Sequence, residues 1–416
     1  MPTKLQLPKP LSALQALLKS CLLGVTVGGL SGVASAIFLH ALAWATGFRE
    51  GHPALLFGLP VAGAVVGWVY QRFGASVAGG SNLLLERVRD PGPPVPFRMT
   101  PLILLATVIT HLFGGSAGRE GTAMQQGGSL GSALAQVLRL SEGDRQLAIQ
   151  CGISGGFGSV FGTPLAGTVF GLEVLRIGRM SYAGLVPCFV ASVVGDLVCR
   201  ALGARHYPYS IGVIPALTPS LWLWVLLAGA LFGLTSIAFT ELIHTLQQTL
   251  TRWIAPPWLR PTLGGIVVIF LTWIVGTHDY LGLGLPLIER SFTPGGVVLW
   301  AFALKLLFTV VTLGSGFKGG EVTPLFCIGA ALGAALAKLT GQPTAFFAAL
   351  GFVAVFGAAA NTPLACIVMG IELFGAPLAL PLATVCLVSY TLSGQRGIYS
   401  AQRKEISDEP DYSNTA

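Results

Sequence analysis

A carboxylate stands inside an apolar, glycine-rich stretch of the chain, in the sequence Gly118-Arg119-Glu120-Gly121-Thr122. Glycines on both sides predict a break in a helix, and the helix that resumes begins with free backbone N–H groups that attract an anion. A glutamate placed there can fill the anion site when it is ionised and leave it when it is protonated. Glu120 is therefore a candidate for competing with an anion and carrying a proton. Its alternative role is to cap a helix start.

A second stretch of the same kind has the sequence GSGFKGGEVTP and runs from Gly314 to Pro324. Here Glu321 is predicted to open a helix whose first turn contains Thr323. The Thr323 hydroxyl can donate a hydrogen bond to an anion, and ordinary N-terminal capping is the alternative explanation for this stretch.

These two stretches belong to an internal repeat. The sequence FGTPLAGTVFGLE, which ends at Glu173, corresponds to ANTPLACIVMGIE, which ends at Glu372, 199 positions later. Glu120 and Glu321 are 201 positions apart, and each is followed two residues later by a threonine. Interrupted helices in corresponding positions of two halves indicate a binding site near the bilayer midplane. We interpret Glu173 and Glu372 as helix-end or structural groups.

Other charged residues have simpler explanations. Arg119 and Lys318 stand just before the two carboxylates, where they either lend positive potential to an anion path or pair with nearby acids, and we favour pairing. Lys305 and Glu241 are predicted to lie at the membrane interface, by extending toward water or by pairing.

Motifs of enzymes and metal sites are weak in this chain. Gly152-Ile153-Ser154-Gly155 fits the Gly-x-Ser-Gly pattern of intramembrane serine proteases, but the pattern is short and no histidine stands in a convincing partner position. The seven cysteines are scattered through apolar runs, and neither they nor the six histidines have metal-ligand spacing. We therefore expect no metal, no cofactor and no enzymatic activity, with a protease using Ser154 as a remote alternative.

The elements that position the carboxylates follow from composition. Hydrophobic residue types make up 53% of the chain and charged types 10%, whereas soluble domains have about 25% charged residues. Charged residues are absent from Ser20 to Phe48, from His206 to Thr240 and from Leu339 to Ile371. A helix needs about 20 mostly apolar residues to span a bilayer. The sequence therefore predicts an all-α polytopic membrane protein with broken or re-entrant helices.

Basic residues near the two ends predict the topology. They lie in the N-terminal 20 residues and near the C-terminus, and they are Lys4, Lys9, Lys19, Arg396, Arg403 and Lys404. The positive-inside rule then places both termini in the cytoplasm, with an even number of crossings. We attribute the net charge of +7 to loops that face the cytoplasm, because no basic patch with accompanying aromatics suggests a nucleic-acid partner.

The repeat and the loops divide the chain into four predicted parts. These are a cytoplasmic N-terminal segment at 1–20, transmembrane repeat 1 at 21–205, transmembrane repeat 2 at 206–405 and a short cytoplasmic tail at 406–416. No regulatory domain is predicted to follow. An inverted relation between the repeats would require an odd number of spans in each half.

Three segments resemble the CLC family of chloride channels and anion/proton antiporters, and the resemblance covers about residues 15–405. GREGTAMQQGGSLG, from Gly118 to Gly131, is similar to the family's Gly-Arg-Glu-Gly-Pro helix start, whose glutamate gates the pore; that role falls on Glu120. SGGFGSVFGTPLAGTVFGLEVL, at 154–175, resembles the segment that runs to the central helices. GIYSA, ending at Ala401, resembles the segment that supplies a pore-lining tyrosine, here Tyr399. The resemblance implies a homodimer with one pore per subunit and two inverted-topology repeats within each subunit.

Departures from the usual family pattern resemble the fluoride-exporting branch, the CLC-F fluoride/proton antiporters. The anion-binding Gly-Ser-Gly-x-Pro loop is replaced by GSNLL, which leaves open whether Ser81 or Asn82 lines the site. Thr122 replaces the proline of the gate motif, Val322 replaces a phenylalanine, and Val174 stands where exchangers have an inner glutamate.

The resemblance to this branch implies a fluoride/proton antiporter of the bacterial inner membrane that exports fluoride using inward proton movement. In it Glu120 gates and transfers protons, and Glu321, Val322 and Thr323 set fluoride coupling and selectivity. The remaining residues of the predicted anion path are Ser81, Asn82, Gly121, Thr122, Gly320 and Tyr399. Fluoride is small and strongly hydrated, so short donors must replace its water, but the residues alone do not distinguish fluoride from chloride. A chloride/proton exchanger or a passive chloride channel is the alternative.

Overall fold

The computed structural model describes residues 10–206, 209, 211–212 and 214–402. Lys4, Lys9, Arg403, Lys404 and the predicted tail at 406–416 lie outside these residues. In the described part of the chain the regular structure is helical, without strands.

Eight α-helices precede residue 206 and eight follow it within the described residues. The first eight are α1 (Pro10–Gly51), α2 (Leu59–Phe73), α3 (Gly80–Arg89), α4 (Met99–Leu112), α5 (Glu120–Val137), α6 (Glu142–Phe161), α7 (Pro164–Glu173) and α8 (Leu185–Ala201). The second eight are α9 (Pro219–Trp253), α10 (Leu259–Val275), α11 (Leu285–Ser291), α12 (Ala301–Gly314), α13 (Val322–Thr340), α14 (Thr344–Ala360), α15 (Pro363–Phe374) and α16 (Ala379–Ser393).

Several helical segments of the described chain are long and apolar enough to cross a membrane. They are Leu14–Gly51, Pro53–Phe73, Tyr182–Ala201, Pro219–Trp253, Val322–Thr340 and Ala376–Ser393. Large apolar side chains on them face outward, as Trp44 and Trp68 do. An exposed apolar face of this kind suits lipid rather than water. The predicted all-α, multi-pass membrane protein is confirmed.

The centre of the molecule is formed by helices that are apolar on every side. Every residue of α14 from Phe346 to Ala360 is buried, as expected of a helix without a polar face. The ring of Phe326, on α13, stacks on that of Phe352 with centroids 4.3 Å apart. In this interior α13, which begins just after Glu321, packs against α14, and α5, which begins with Glu120, packs against α6.

Paired glycines bring neighbouring helices into backbone contact in both halves. A Cβ atom at Gly127 of α5 would lie 2.1 Å from the carbonyl oxygen of Gly152 of α6. A Cβ atom at Gly329 of α13 would lie 1.9 Å from the carbonyl oxygen of Gly351 of α14. Close approach of this kind through small residues is how helices associate in lipid. Each carboxylate-bearing helix is thus packed tightly against the helix that follows it.

The helices α7 and α15 cap one another. Glu173, at the end of α7, accepts hydrogen bonds from the backbone N–H groups of residues 364 and 365, at 3.0 and 2.8 Å. Glu372, near the end of α15, accepts hydrogen bonds from those of residues 165 and 166, at 2.9 and 2.7 Å. Carboxylates stabilise helix N-termini in this way. The interpretation of Glu173 and Glu372 as helix-end groups is confirmed, and the pairing runs between the halves.

Candidate functional site

Glu120 is the first residue of α5, and its side chain reaches the start of α13 in the other half. One carboxylate oxygen accepts a hydrogen bond from the backbone N–H of Thr323 at 3.1 Å and another from the Thr323 hydroxyl at 2.5 Å. The other oxygen lies 3.3 Å from Nε of Arg119, and the whole side chain is buried, with 0% exposure. The carboxylate therefore occupies the position at a helix N-terminus where an anion would bind.

This arrangement makes the position of Glu120 depend on its charge. Hydrogen bonds from an N–H and an O–H to a carboxylate are charge-assisted, and they weaken when the acid is protonated. A protonated Glu120 loses much of what holds it at α13. The donors of Thr323 then become available to another anion.

Glu321 stands just before α13, and its side chain turns toward the start of α5. A Cβ atom at Gly121 would lie 3.5 Å from Oε2 of Glu321 and 3.1 Å from Cα of Gly320. Each carboxylate therefore approaches the helix start of the other half, and the absence of a side chain at Gly121 leaves room for this approach. The Glu321 side chain is partly exposed, unlike that of Glu120.

The two broken segments are joined by their backbones. The N–H of Gly118 donates to the carbonyl of Gly320 at 2.6 Å, and the N–H of Gly320 donates to the carbonyl of Gly118 at 2.9 Å. Beside this bridge, Val322 is buried in the core, and the Thr122 hydroxyl is hydrogen-bonded to that of Thr107 on α4 at 2.8 Å. The bridge fixes the distance between the two helix starts.

A cavity of about 260 Å³ leads to the partly exposed carboxylate. It brings together four residues that the sequence assigned to the site, and these are Ser81, Asn82, Glu321 and Tyr399. Glu120, Gly121 and Thr323 are not part of its lining, because they lie at the contact between the helix starts. The cavity is therefore an approach to the position that Glu120 occupies.

Tyr399 presents a buried hydroxyl to this site without a partner in the described part of the chain. Its side chain is 4% exposed. A buried hydroxyl without a hydrogen bond is unusual in a folded protein and calls for a partner that is not protein. An anion in the cavity would supply the missing acceptor.

Ser81 and Asn82 have different surroundings. The Ser81 hydroxyl oxygen accepts a hydrogen bond from Nε2 of Gln125 at 3.3 Å, and this leaves its own O–H free to donate into the cavity. The side-chain oxygen of Asn82 accepts a hydrogen bond from the backbone N–H of Ala401 at 3.0 Å. Asn82 thereby anchors the segment that carries Tyr399.

The chain resembles known proteins in both sequence and structure. A family model described as the voltage-gated chloride channel family matches residues 62–394. The chain belongs to the CLC family. It is 48% identical over 410 residues to the chloride/fluoride channel protein of Pseudomonas syringae pv. tomato, a match that covers 96% of this chain and 90% of that protein.

A solved structure described as a CLC-type fluoride/proton antiporter matches with a TM-score of 0.90 and 35% identity, over 95% of this chain and all 100% of that one. The H⁺/Cl⁻ exchange transporter ClcA of Yersinia pestis is more distant, at 28% identity over 359 residues, which are 81% of this chain and 75% of that protein. The predicted CLC fold and the resemblance to its fluoride/proton branch are both confirmed.

Lys305 lies beside the segment that leads to the site, and the sequence interpretation misplaced this lysine. It was predicted to lie at the membrane interface, which is wrong, because its side chain is fully buried. Its ammonium donates hydrogen bonds to the Ser116 hydroxyl at 2.9 Å and to the carbonyls of Tyr280 and Gly282 at 3.2 and 2.8 Å. Ser116 lies two residues before the Gly118 bridge, so Lys305 anchors the segment that carries Glu120.

The predicted pairing of the two basic residues holds for one of them. Arg119 pairs with Glu120 at 3.3 Å. Lys318 instead places its ammonium over the ring of Tyr70, 4.5 Å from the ring centre, and lines the cavity. Lys318 thus forms no ion-pair contact within the described chain, although its charge and that of Glu321 attract each other at longer range.

Val174, which the resemblance aligns with the inner glutamate of CLC exchangers, lies in the apolar core. Val174 is fully buried, and its carbonyl accepts a hydrogen bond from Nε2 of Gln402 at 3.0 Å. The neighbouring carboxylate, Glu173, is engaged by the start of α15. No carboxylate stands at the usual inner position in the described chain.

The alternative sites find little support in the geometry. The Ser154 hydroxyl is buried so closely against α7 that a Cβ atom at Gly171 would lie 1.9 Å from it. No histidine of the described residues forms a hydrogen bond with Ser154. Groups of three or more potential metal ligands are likewise absent from the part of the chain that the structure describes.

Proposed function

We propose that this CLC protein is a fluoride/proton antiporter that exports fluoride from the cytoplasm, driven by inward movement of protons. The observation that carries the proposal is the position of Glu120, whose carboxylate takes the donors of Thr323 at the start of α13. A group that substitutes for an anion and binds a proton can exchange one for the other.

The cycle follows from the charge dependence of that position. Protonation of Glu120 weakens its bonds to Thr323, and the neutral acid leaves. Fluoride then moves from the cavity to the start of α13. After fluoride has left, Glu120 returns as a carboxylate once it has released its proton to the cytoplasm. Fluoride and the ionised Glu120 carboxylate thus alternate at the same donors, and the side chain carries the proton while it is away from them.

Fluoride, rather than chloride, is supported by the second carboxylate. Fluoride is the most basic halide, and a protonated Glu321 beside it would donate a short, strong hydrogen bond. The Tyr399 hydroxyl and the Ser81 O–H are further small donors that can replace water around the ion. The similarity to a structure described as a fluoride/proton antiporter supports the same choice.

Chloride transport is the second candidate function. The name of the Pseudomonas syringae relative includes both chloride and channel, and ClcA is named as an H⁺/Cl⁻ exchanger. A chloride/proton exchanger or a passive chloride channel on the same fold would use Glu120 in the same place. Flux measurements separate the three possibilities.

The proposed setting is the inner membrane of a bacterium, with both termini in the cytoplasm. The protein acts as a homodimer with one anion path in each subunit, in keeping with the CLC family. It has no enzymatic activity, and its partners are fluoride, protons and the lipid bilayer.

The decisive experiment compares fluoride and chloride efflux from liposomes that contain the purified protein. We expect rapid fluoride efflux accompanied by proton uptake, with chloride efflux slower by more than an order of magnitude. Chloride efflux as fast as that of fluoride would contradict the selectivity. Fluoride efflux without any proton movement would identify a channel.

The role of Glu120 is tested by Glu120→Gln in the same assay. The amide keeps the size of the side chain but cannot carry a proton, so proton movement should fall to the background of empty liposomes. Binding of fluoride, measured by calorimetry, provides evidence that the variant is folded. Proton coupling that persists in Glu120→Gln would remove Glu120 from this role.

A further inference from the structure

The cavity that leads to the site is lined by a lysine that is not in ion-pair contact with a carboxylate of the described chain. Among the described residues that line this cavity, Lys318 is the lysine and Glu321 is the carboxylate. Lys318 nevertheless forms no ion pair within the described chain, although Glu321 is three residues further on. Its ammonium lies 4.5 Å from the centre of the Tyr70 ring, on α2.

The aromatic ring accounts for the position of the ammonium away from ion-pair contact with Glu321. A cation over the face of a tyrosine is attracted by the ring electrons, and this attraction competes with a weak ion pair. Unlike a carboxylate, the ring carries no formal negative charge, so it does not neutralise the ammonium. Tyr70 therefore holds the ammonium at the wall of the cavity out of ion-pair contact with Glu321, and the two charges act on each other only at longer range.

Packing does not account for this lysine. The neighbouring residue, Phe317, is 3% exposed, and its ring already fills the space at α2, where a Cβ atom at Gly63 would lie 2.8 Å from it. The segment thus already contacts α2 through an apolar side chain. The contact of Lys318 with Tyr70 adds a positive charge at the cavity wall, which packing alone does not require.

We propose that Lys318, held in place by the ring of Tyr70, is the anion-attracting residue of the cavity and raises the local concentration of fluoride before it reaches the start of α13. A positive charge on the wall of a cavity attracts an entering anion, and the low-dielectric protein around the cavity focuses its field. The inference rests on the proposed transport of anions through this cavity. It assigns Lys318 to the capture of the anion and leaves proton transfer to the carboxylates.

The test changes the charge at position 318 by chemical modification of protein that is already folded and reconstituted. Six of the seven cysteines are buried and Cys21 is partly exposed, so Lys318→Cys is made in a Cys21→Ser background and reconstituted in liposomes. The new thiol is modified from the bath with either a cationic trimethylammonium-ethyl or an anionic sulfonato-ethyl methanethiosulfonate. Initial fluoride flux is then measured at a concentration well below KM and again at saturation.

At low fluoride we expect the cationic adduct to carry fluoride at least about threefold faster than the anionic adduct. The difference should shrink at saturating fluoride, and it should also shrink in 1 M salt, where charges are screened beyond about 3 Å. The ratio of fluoride to protons should be equal in both adducts. Equal flux with the two adducts would show that only size matters at this position and would overturn the proposal. A thiol that does not react would also overturn it, because the side chain would then not face the cavity.

A matched control is available on the same helix as Tyr70. Arg72 is exposed, and its guanidinium lies 5.4 Å from the ring centre of Phe73, but it does not line the cavity. Arg72→Cys with the same two reagents should give equal fluoride flux. Tyr70→Leu should raise the fluoride KM in the same direction as loss of the lysine charge, and an unchanged KM would exclude the ring from positioning Lys318.

The outcome also separates this inference from the proposed function. If the Cys21→Ser parent moves no fluoride or no protons, the transport proposal itself fails. If the parent couples fluoride to protons and the two adducts do not differ, only the role of Lys318 fails.

Discussion

Glu120 and Glu321 occupy corresponding places in the two halves, yet their surroundings differ. The Glu120 carboxylate is fully buried and takes the donors of Thr323, whereas Glu321 is partly exposed and faces the cavity. The first is placed to exclude an anion, and the second is placed to stand beside one. Two glutamates at corresponding positions of the repeat are therefore expected to have different functions.

Glu321→Gln is expected to reduce the preference for fluoride over chloride. The amide keeps a neutral donor but loses the strong hydrogen bond from a carboxylic acid to fluoride, a contact from which the larger chloride gains less. The ratio of fluoride to chloride efflux should fall about tenfold in liposomes, at the same protein density. Glu289, an exposed residue of α11, supplies the control variant Glu289→Gln, which should keep the wild-type ratio. An unchanged ratio in Glu321→Gln would assign selectivity to other residues.

Tyr399→Phe is expected to weaken fluoride binding without weakening the fold. Removal of the hydroxyl leaves no protein group without a partner, because that hydroxyl has none in the described chain. A hydrogen bond to a charged group contributes about 1.5–3 kcal/mol, so the dissociation constant of fluoride should rise by tenfold or more. Calorimetry measures the constant, and thermal unfolding in detergent should give a melting temperature close to that of the wild type. A lower melting temperature with unchanged affinity would show that the hydroxyl is structural.

Among the secondary-structure elements, α7 and α15 connect the halves most directly. Each ends with a carboxylate that caps the other, so the two helices run antiparallel and stabilise one another at both ends. In an isolated half, each of these helices would begin with unpaired N–H groups in an apolar environment, which is costly.

Glu173→Gln and Glu372→Gln should each lower the melting temperature by a few degrees. An amide oxygen accepts the backbone N–H groups less strongly than a carboxylate, and the loss is of the order of 1–3 kcal/mol. Fluoride and proton coupling should persist in the protein that remains folded, because neither side chain lines the cavity. The Glu289→Gln variant again serves as the reference. Loss of proton coupling in a stable Glu173→Gln protein would show that this carboxylate carries protons.

For the molecule as a whole, the orientation in the membrane is open to a direct test. Lys19 and Glu50 lie near opposite ends of α1, with side chains that are 62% and 61% exposed. At 1.5 Å per residue the helix places them about 45 Å apart, on opposite sides of a bilayer. In a Cys21→Ser background, an impermeant maleimide should label Glu50→Cys in intact cells and Lys19→Cys only after permeabilisation. The reverse pattern would place the N-terminal end of α1 outside the cytoplasm.

The sequence predicted the parts of the site whose determinants are close together along the chain. Glu120 and Glu321 are readable because glycines beside a carboxylate interrupt a helix locally, and the repeat drew attention to both interruptions. Lys305 was placed wrongly, and the ring contact of Lys318 was missed, because their partners are distant along the chain: the hydroxyl of Ser116 for one and the ring of Tyr70 for the other. A charged residue within an apolar stretch can be recognised in a sequence. The group that interacts with it is known only from the packing of the folded chain.

The glycine pairs between α5 and α6 and between α13 and α14 have a mechanical consequence. A helix whose backbone fits between the carbonyls of its neighbour cannot slide or roll without steric overlap, and the two-way Gly118–Gly320 bridge ties the two helix starts together. Rocking of one half against the other would have to break that bridge. We therefore expect the two helix starts to stay in place during transport, with side chains such as that of Glu120 as the moving parts.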